Sequence, residues 1–445
     1  MEAEAHYRRG IEQQDEGRFA EAEASYRRSL ALDARQPKAQ NNLGCVLQMQ
    51  GRLEEAIAAF RCALELDPSL AQAQQNLAAL LGGPELLERA AAGYRAQAAA
   101  DPRDALVCHD LGNVYRELGR MDESMAAFDE AIRRDPQCAQ AYYARALALF
   151  QAGRWAEAWR DHEWRWRVKG LPPPRDFAQP LWDGSDLGGK TLLLHAEQGL
   201  GDAIQFARYA ALAARRCGRL IVECPAPLRA LFGSLEGPAA IVASGEPLPA
   251  FDAHLPFMSL GKVFATTPES VPWSGPYLRA DPERMKNLRR EIARQRGVGL
   301  VWGGQPQQWD NRKRSVELAK LAPLAALPGI RLVSLQKGEA AGELKRLPPG
   351  MSILDRGPEL NDFADTAAVI AGLDLVISVD TSVAHLAGAM GAPLLVLARY
   401  DCDWRWRGEG GRTPWYPAAR VFRQEKEGDW EGVIARVAAH LGAMA

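Results

Sequence analysis

Four stretches of this chain bring chemically capable side chains to the ends of apolar runs. Glu197-Gln198-Gly199-Leu200-Gly201-Asp202 follows the run Thr191–His195 and precedes an apolar helical stretch. Glycines admit close backbone approach and a helix start favours anions. Gly199 and Gly201 without a third glycine are not the dinucleotide fingerprint, and an aspartate there also serves as a plain cap. Trp302-Gly303-Gly304-Gln305 is followed by Asn311-Arg312-Lys313-Arg314-Ser315. Consecutive cations beside a strand end suit a diphosphate, or form a solvated charge run. Ser378-Val379-Asp380-Thr381-Ser382-Val383-Ala384-His385 runs from a buried strand into a small-residue helix. Hydroxyls and free N–H groups at that start can cradle a phosphate. Thr381 and His385, four apart, share one helix face, and His385 is either a ligand contact or a structural hydrogen-bonder. Trp404, Arg405, Trp406 and Tyr416 follow the run Leu394–Ala398. They stack on a base or sugar, or pack the closing helix Trp430–Leu441.

The elements that must position these residues alternate between short β-rich runs and helical stretches, the pattern of parallel α/β folds. Expected strands are Thr191–His195, Leu220–Cys224, Ala240–Ala243, Val298–Trp302, Arg331–Leu335, Leu375–Val379 and Leu394–Ala398. The polar stretch Ser274–Arg296 can join two Rossmann-like halves, with a ligand at the strand carboxyl ends. Leu171-Pro172-Pro173-Pro174-Arg175 is a stiff break before this region.

The region before the break repeats every 34 residues: Asp-Pro begins at Asp67, Asp101 and Asp135. The same step links Gly10, Gly44, Ala78, Gly112 and Ala146, then Ala22, Ala56, Ala90, Ser124 and Ala158, then Tyr26, Phe60, Tyr94 and Phe128. Gly17, Gly51, Gly119 and Gly153 mark the turn within each unit, and Gly82-Gly83-Pro84 disturbs the third. Small residues let two helices approach, the aromatic fills the gap between them, and proline ends the second helix. Such hairpins must stack to bury their faces. About five units fit between residues 3 and 170. One column of the concave face reads Arg8, Asn42, Asn76, Asp110, Ala144. Asparagine both donates and accepts, so Asn42, Asn76 and Asp110 either hold an acceptor peptide or are solvated polar residues. Trp155, Trp159, Trp164 and Trp166 alternate with arginines; Trp155, Trp159 and Trp166 fall near helical spacing and are expected to pack the array on the next domain rather than stack on nucleic acid.

Composition narrows the classes. The chain has 445 residues, a formal net charge of -2 and seven scattered cysteines. The charge gives no bulk attraction to nucleic acid or an anionic membrane. No apolar run reaches the roughly 18 residues of a membrane span, and Met1–Gln14 has no signal-peptide core. No Cys-x-x-Cys pair suggests a metal, so reduced thiols in a cytoplasmic protein are expected.

The 34-residue columns resemble the tetratricopeptide repeat, and the asparagine column is similar to the ladder of O-GlcNAc transferase. Gly-Leu-Gly-Asp and Asp-Thr-Ser-x-Ala-His-Leu-Ala-Gly-Ala resemble the heptosyltransferases, glycosyltransferase family 9, over roughly residues 181–430. Repeats ahead of such a module are similar to bacterial transferases that modify proteins such as flagellin. The resemblance implies an α-solenoid at 1–170, a linker at 171–180, and a GT-B fold with an acceptor half at 181–285 and a nucleotide half at 286–445. It implies an inverting transfer from a sugar nucleotide, as co-substrate, to an acceptor hydroxyl, without cofactor or metal. Asp202 is then the base. Lys313 or Arg314, with Asp380, Thr381, Ser382 and His385, would hold the donor phosphates. Gln198, Gly199, Gly201, Gly303, Trp404 and Arg405 would line the site. Ser382 departs from the family's glycine and narrows the phosphate's room. The acceptor is expected to be a protein held in the repeat groove. A repeat scaffold with a degenerate module, or a lipopolysaccharide or small-glycan transferase, is the alternative.

Overall fold

The computed structural model describes residues 2–81, 84–285, 295–305 and 311–443, in two compact units that divide between Pro173 and Pro174. The first unit is helical. Its hairpins pair Glu2–Asp15 with Phe19–Leu32, Pro37–Met49 with Leu53–Leu66, Ala71–Leu81 with Pro84–Ala100, Ala105–Glu117 with Met121–Arg134, and Ala139–Gln151 with Trp155–His162.

The columns of the repeat have visible physical causes. A Cβ on Gly10, Gly44 or Gly112 would stand 2.6, 2.6 or 2.5 Å from the ring of Tyr26, Phe60 or Phe128, so the glycine receives the aromatic of the partner helix. Gly17, Gly51, Gly119 and Gly153 all turn the chain at φ between 75 and 79°, which glycine adopts without steric cost. Asp67, Asp101 and Asp135 end their helices, and each carboxylate accepts the N–H two residues on at 2.9 Å. Asp33, without a proline after it, does the same at 3.0 Å. Gly82 and Gly83 lie outside the described residues. The tryptophans that close the array have ring partners within their own unit. Trp155 and Trp159 meet Phe150 edge-on, and Trp164 stacks on Tyr142 at 4.0 Å. These rings complete the last hairpin, whose second helix is only eight residues long.

The second unit holds two parallel sheets. The first contains β1 Thr191–His195, β2 Arg219–Cys224, β3 Ala240–Ala243 and β4 Ala253–Pro256 in the order β3-β2-β1-β4. The second contains β5 Arg296–Val301, β6 Ile330–Ser334, β7 Ile353–Asp355, β8 Leu375–Val379, β9 Leu394–Ala398 and β10 Ala419–Arg423 in the order β10-β9-β8-β5-β6-β7. Strand order reverses beside β1 and between β5 and β8, and ligands of such folds bind at that reversal. The strand cores are apolar throughout (β8 and β9 are buried along their whole length), as both faces of a parallel sheet are covered. β4, β7 and β10 were not foreseen. β4 is four residues with a histidine and a proline, β7 is three, and β10 alternates with arginine, so none carries an apolar run. Trp302, expected inside a strand, begins the loop after β5.

The stretch expected to be a stiff proline-rich linker, 171–180, is in part packed on the second unit. From Pro174 onward it belongs to the second unit. Arg175 bonds Glu223 at 2.8 and 3.0 Å, and Phe177 packs edge-on against His195, Phe251 and His254. The connector between the sheets is likewise anchored where described: Tyr277 donates to the Ile204 carbonyl, and its N–H meets Ala389. Residues 286–294 of that connector lie outside the described residues. Among the described residues no helix is long and apolar enough to cross a membrane, and no group of three or more His, Cys, Asp and Glu side chains is placed to hold a metal.

Candidate active site

Two short helices meet where the sheets face each other. Leu200–Phe206 follows β1 and Ser382–Ala389 follows β8. A Cβ on Gly201 would lie 2.8 Å from the His385 ring and 3.6 Å from the Ser382 Cα. The glycine of the first motif therefore makes room for the second motif. Gly388 plays the matching part on the other helix, where a Cβ would come within 2.4 Å of the Tyr416 ring.

The charges of the site converge at this contact. Asp202 Oδ2 accepts the Gly199 N–H at 3.2 Å, and Oδ1 accepts from Arg405 at 2.7 Å. Arg405 also donates to Gln205 Oε1 at 2.8 Å and to both Asp403 oxygens at 3.0 and 3.1 Å. Gln205 and Asp202 are one turn apart, so one guanidinium reads both. The Gln205 amide nitrogen is buried and carries no hydrogen bond among the described residues. Burial would lift the Asp403 carboxyl, but Arg405 holds it below the usual carboxylate range. Burial, with Asp403 adding negative charge nearby, pushes the Asp380 carboxyl above that range against the pull of Arg314.

His385 is an internal group. It is 6% exposed as a side chain, and its Nδ1 lies 2.8 Å from the Tyr416 hydroxyl. Burial, then the nearby Arg405, pushes its pKa down to about 3. It is therefore neutral near pH 7, and its Nε2 stands 3.9 Å from Asp380 Oδ1. The Thr381 hydroxyl pairs with Ser378 at 3.0 Å, leaving Ser382 as the first residue of the helix.

The second loop divides the cations that sequence grouped together. Arg314 turns to the Asp380 carbonyl at 3.3 Å. Lys313 turns instead to Glu427 at 2.8 Å, because neighbours in a helical turn point different ways. The Arg312 side chain lies outside the described residues. Gly303 does not offer a free backbone: Gln336 accepts its N–H at 2.9 Å and donates to its carbonyl at 3.0 Å. Gln198 is half-buried beside Gly199. Trp404, Trp406 and Tyr416 are buried and pack against Trp415, His385 and each other, so they form the floor of the loop rather than exposed stacking faces.

Sequence reasoning missed Asp403, Gln205 and Arg208. Arg208 is buried, donates to the Trp415 carbonyl at 2.8 Å and lies over Tyr277, Trp415 and Tyr416. It ties the first sheet's helix to the second sheet's loop. Its spacing from Asp202 gave no motif, and Asp403 carried only the signal of lying two residues before Arg405.

In the repeat unit the ladder residues are engaged locally. The Asn42 amide nitrogen lies 3.5 Å from the hydroxyls of Tyr7 and Tyr26. Asn76 donates to Asn41 at 2.9 Å and to the Cys45 sulfur at 3.3 Å, and Asp110 meets His109 at 2.9 Å. Arg8 is exposed and paired with Glu4.

Comparison with known proteins agrees with this division. Tetratricopeptide repeat models match residues 3–36, 37–70 and 109–162, and the model described as glycosyltransferase family 9 (heptosyltransferase) matches residues 317–429. The latter match spans Asp380 to Arg405 and starts after Arg314, a shorter reach than the motifs suggested. The protein FlbA of Caulobacter vibrioides is 28% identical over 364 residues, 73% of this chain, and the chain spans 59% of that relative's length. Among solved structures, MamA is 23% identical over 35% of this chain and 91% of its own, with a TM-score of 0.26. A thermophilic repeat protein of Thermus thermophilus is 22% identical over 36% and 87%, with a TM-score of 0.31. The chain thus joins tetratricopeptide repeats to a glycosyltransferase family 9 domain.

Proposed function

We propose that this tetratricopeptide-repeat chain with a glycosyltransferase family 9 domain moves a sugar from a sugar nucleotide to a protein hydroxyl, with inversion and without a metal ion. The observation that carries the reading is the 2.7 Å bond between Asp202 and Arg405. It joins a carboxylate after β1 to a cation in the loop after β9, so a proton acceptor and the donor-side charges share one site. The acceptor hydroxyl gives its proton to Asp202 as its oxygen bonds the anomeric carbon. The bond to the leaving phosphate breaks, and its electron pair stays on the phosphate oxygen. Arg314 and the helix start at Ser382 face that growing charge. A single displacement from the opposite side inverts the carbon. Asp380 and Asp403 hold the cations in place, and His385 spaces the helices as a neutral ring.

The repeats support a protein acceptor, since stacked hairpins present a continuous groove of the kind that holds extended partners. The test uses the full chain with ADP-, UDP- and CMP-linked sugars, reading thermal shift and nucleotide release. One donor class should raise the unfolding temperature and be turned over slowly to free nucleotide. Failure of all three to shift the protein or to be consumed would remove the assignment.

A further inference from the structure

A pocket opens at the edge of the larger sheet and adjoins the candidate active site through Trp406. Its volume is about 530 Å³, and it opens among the residues that follow β9 and β10. That size falls among small-molecule sites. Its polar wall is strongly basic: Arg407, Arg423 and Arg436 against Glu425. Three guanidinium charges and one carboxylate leave two positive charges.

Two features show a built wall rather than scattered surface arginines. Gln424 lines the pocket and is 2% exposed. Its oxygen accepts the N–H groups of Tyr400 and Gly428, both at 3.1 Å, which fixes its orientation, and its buried amide nitrogen has no hydrogen bond among the described residues. The opposite rim is Gly408, Gly410 and Gly411. Gly410 and Gly411 have φ of 61 and 72°, and a Cβ on Gly411 would meet the Val421 carbonyl at 2.9 Å. Side chains are thus kept off that rim. Arg436 is held by Glu425 at 3.2 Å and by the Gly432 carbonyl, while Arg423 is exposed at the strand end. Tyr400, 44% exposed, offers a ring face to a flat or pyranose-like group.

We propose that this pocket binds a phosphate monoester carrying a ring the size of a sugar. Such a group bears about −1.5 to −2 charges at pH 7, which matches the wall. Arginine forks suit its oxygens, and Gln424 adds a fixed donor. The pocket meets the candidate active site at Trp406 but is lined by none of Asp202, Arg314 or Asp380, so variants at those positions separate this proposal from the donor reading. A sugar phosphate and a nucleoside monophosphate have the same recognising chemistry, and the probes separate them.

The test is calorimetric titration of the full chain with glucose 6-phosphate, AMP and unphosphorylated glucose. Glucose 6-phosphate or AMP should bind and glucose should not. Arg423→Gln should weaken that binding about tenfold or more, and Tyr400→Ala should weaken it for whichever ring is preferred. Arg314→Ala should leave it unchanged, and Arg423→Gln should keep the wild-type unfolding temperature. No heat from either phosphate up to about 10 mM, or binding indifferent to both Arg423→Gln and Arg407→Gln, would overturn the proposal.

Discussion

Asp202 is gripped from both sides, by Gly199 and by Arg405, while Arg314 and Lys313, adjacent in sequence, serve different partners. That split yields a sharp expectation. Arg314→Ala should weaken nucleotide binding by roughly 1.5–3 kcal/mol, the scale of a hydrogen bond to a charged group. Lys313→Ala should leave calorimetric affinity near wild type, and equal losses in both would refute the division. His385 sets a pH dependence. Unfolded, a histidine takes a proton near pH 6.5, whereas folded His385 resists it down to about 3. Between those values the unfolded chain binds more protons, so stability falls as pH drops through the window. His385→Gln should flatten the fall of Tm with acid, leaving the contributions of His254 and His440, whose pKa values burial also lowers. An unchanged slope in thermal scans would show that His385 is not neutral in the folded chain.

At the scale of elements, the glycines decide which helices can touch. Gly201→Ala forces a Cβ to 2.8 Å from His385, whereas Gly199→Ala meets only Asp202 Oδ2 at 3.3 Å. Overpacking of this kind costs about 1–3 kcal/mol, so Gly201→Ala should lower both Tm and donor affinity more than Gly199→Ala. The reverse order would show that the helix contact tolerates strain. The same logic explains what the sequence made legible. The 34-residue columns could be read because each glycine, aromatic and aspartate answers a local steric or hydrogen-bonding need repeated in every hairpin. The long apolar strands β1, β8 and β9 were legible for the same local reason. Asp403, Gln205 and Arg208 were not, since their meaning comes from the meeting of two sheets across about 200 residues. The asparagine ladder was seen, but not its bonds within the stack. Asn76→Ala should accordingly lower repeat stability while weakening any acceptor.

For the whole molecule, the donor-side residues all follow Pro174, and the repeat columns all precede it. The 174–445 unit expressed alone should bind nucleotide with the affinity of the full chain, yet lose modification of a protein acceptor; full modification would show that the repeats serve another end. In the full chain, Asn42→Ala with Asn76→Ala should leave nucleotide affinity untouched. The central claim, sugar transfer to protein through Asp202, is tested most directly in the native host lacking this gene. Mass spectrometry of its proteins is compared after restoring the full chain, the Asp202→Asn chain or the 174–445 unit. A sugar mass should return to a host protein with the full chain alone, while purified Asp202→Asn still binds nucleotide. Return of that mass with Asp202→Asn, or its absence with the full chain, would contradict the account.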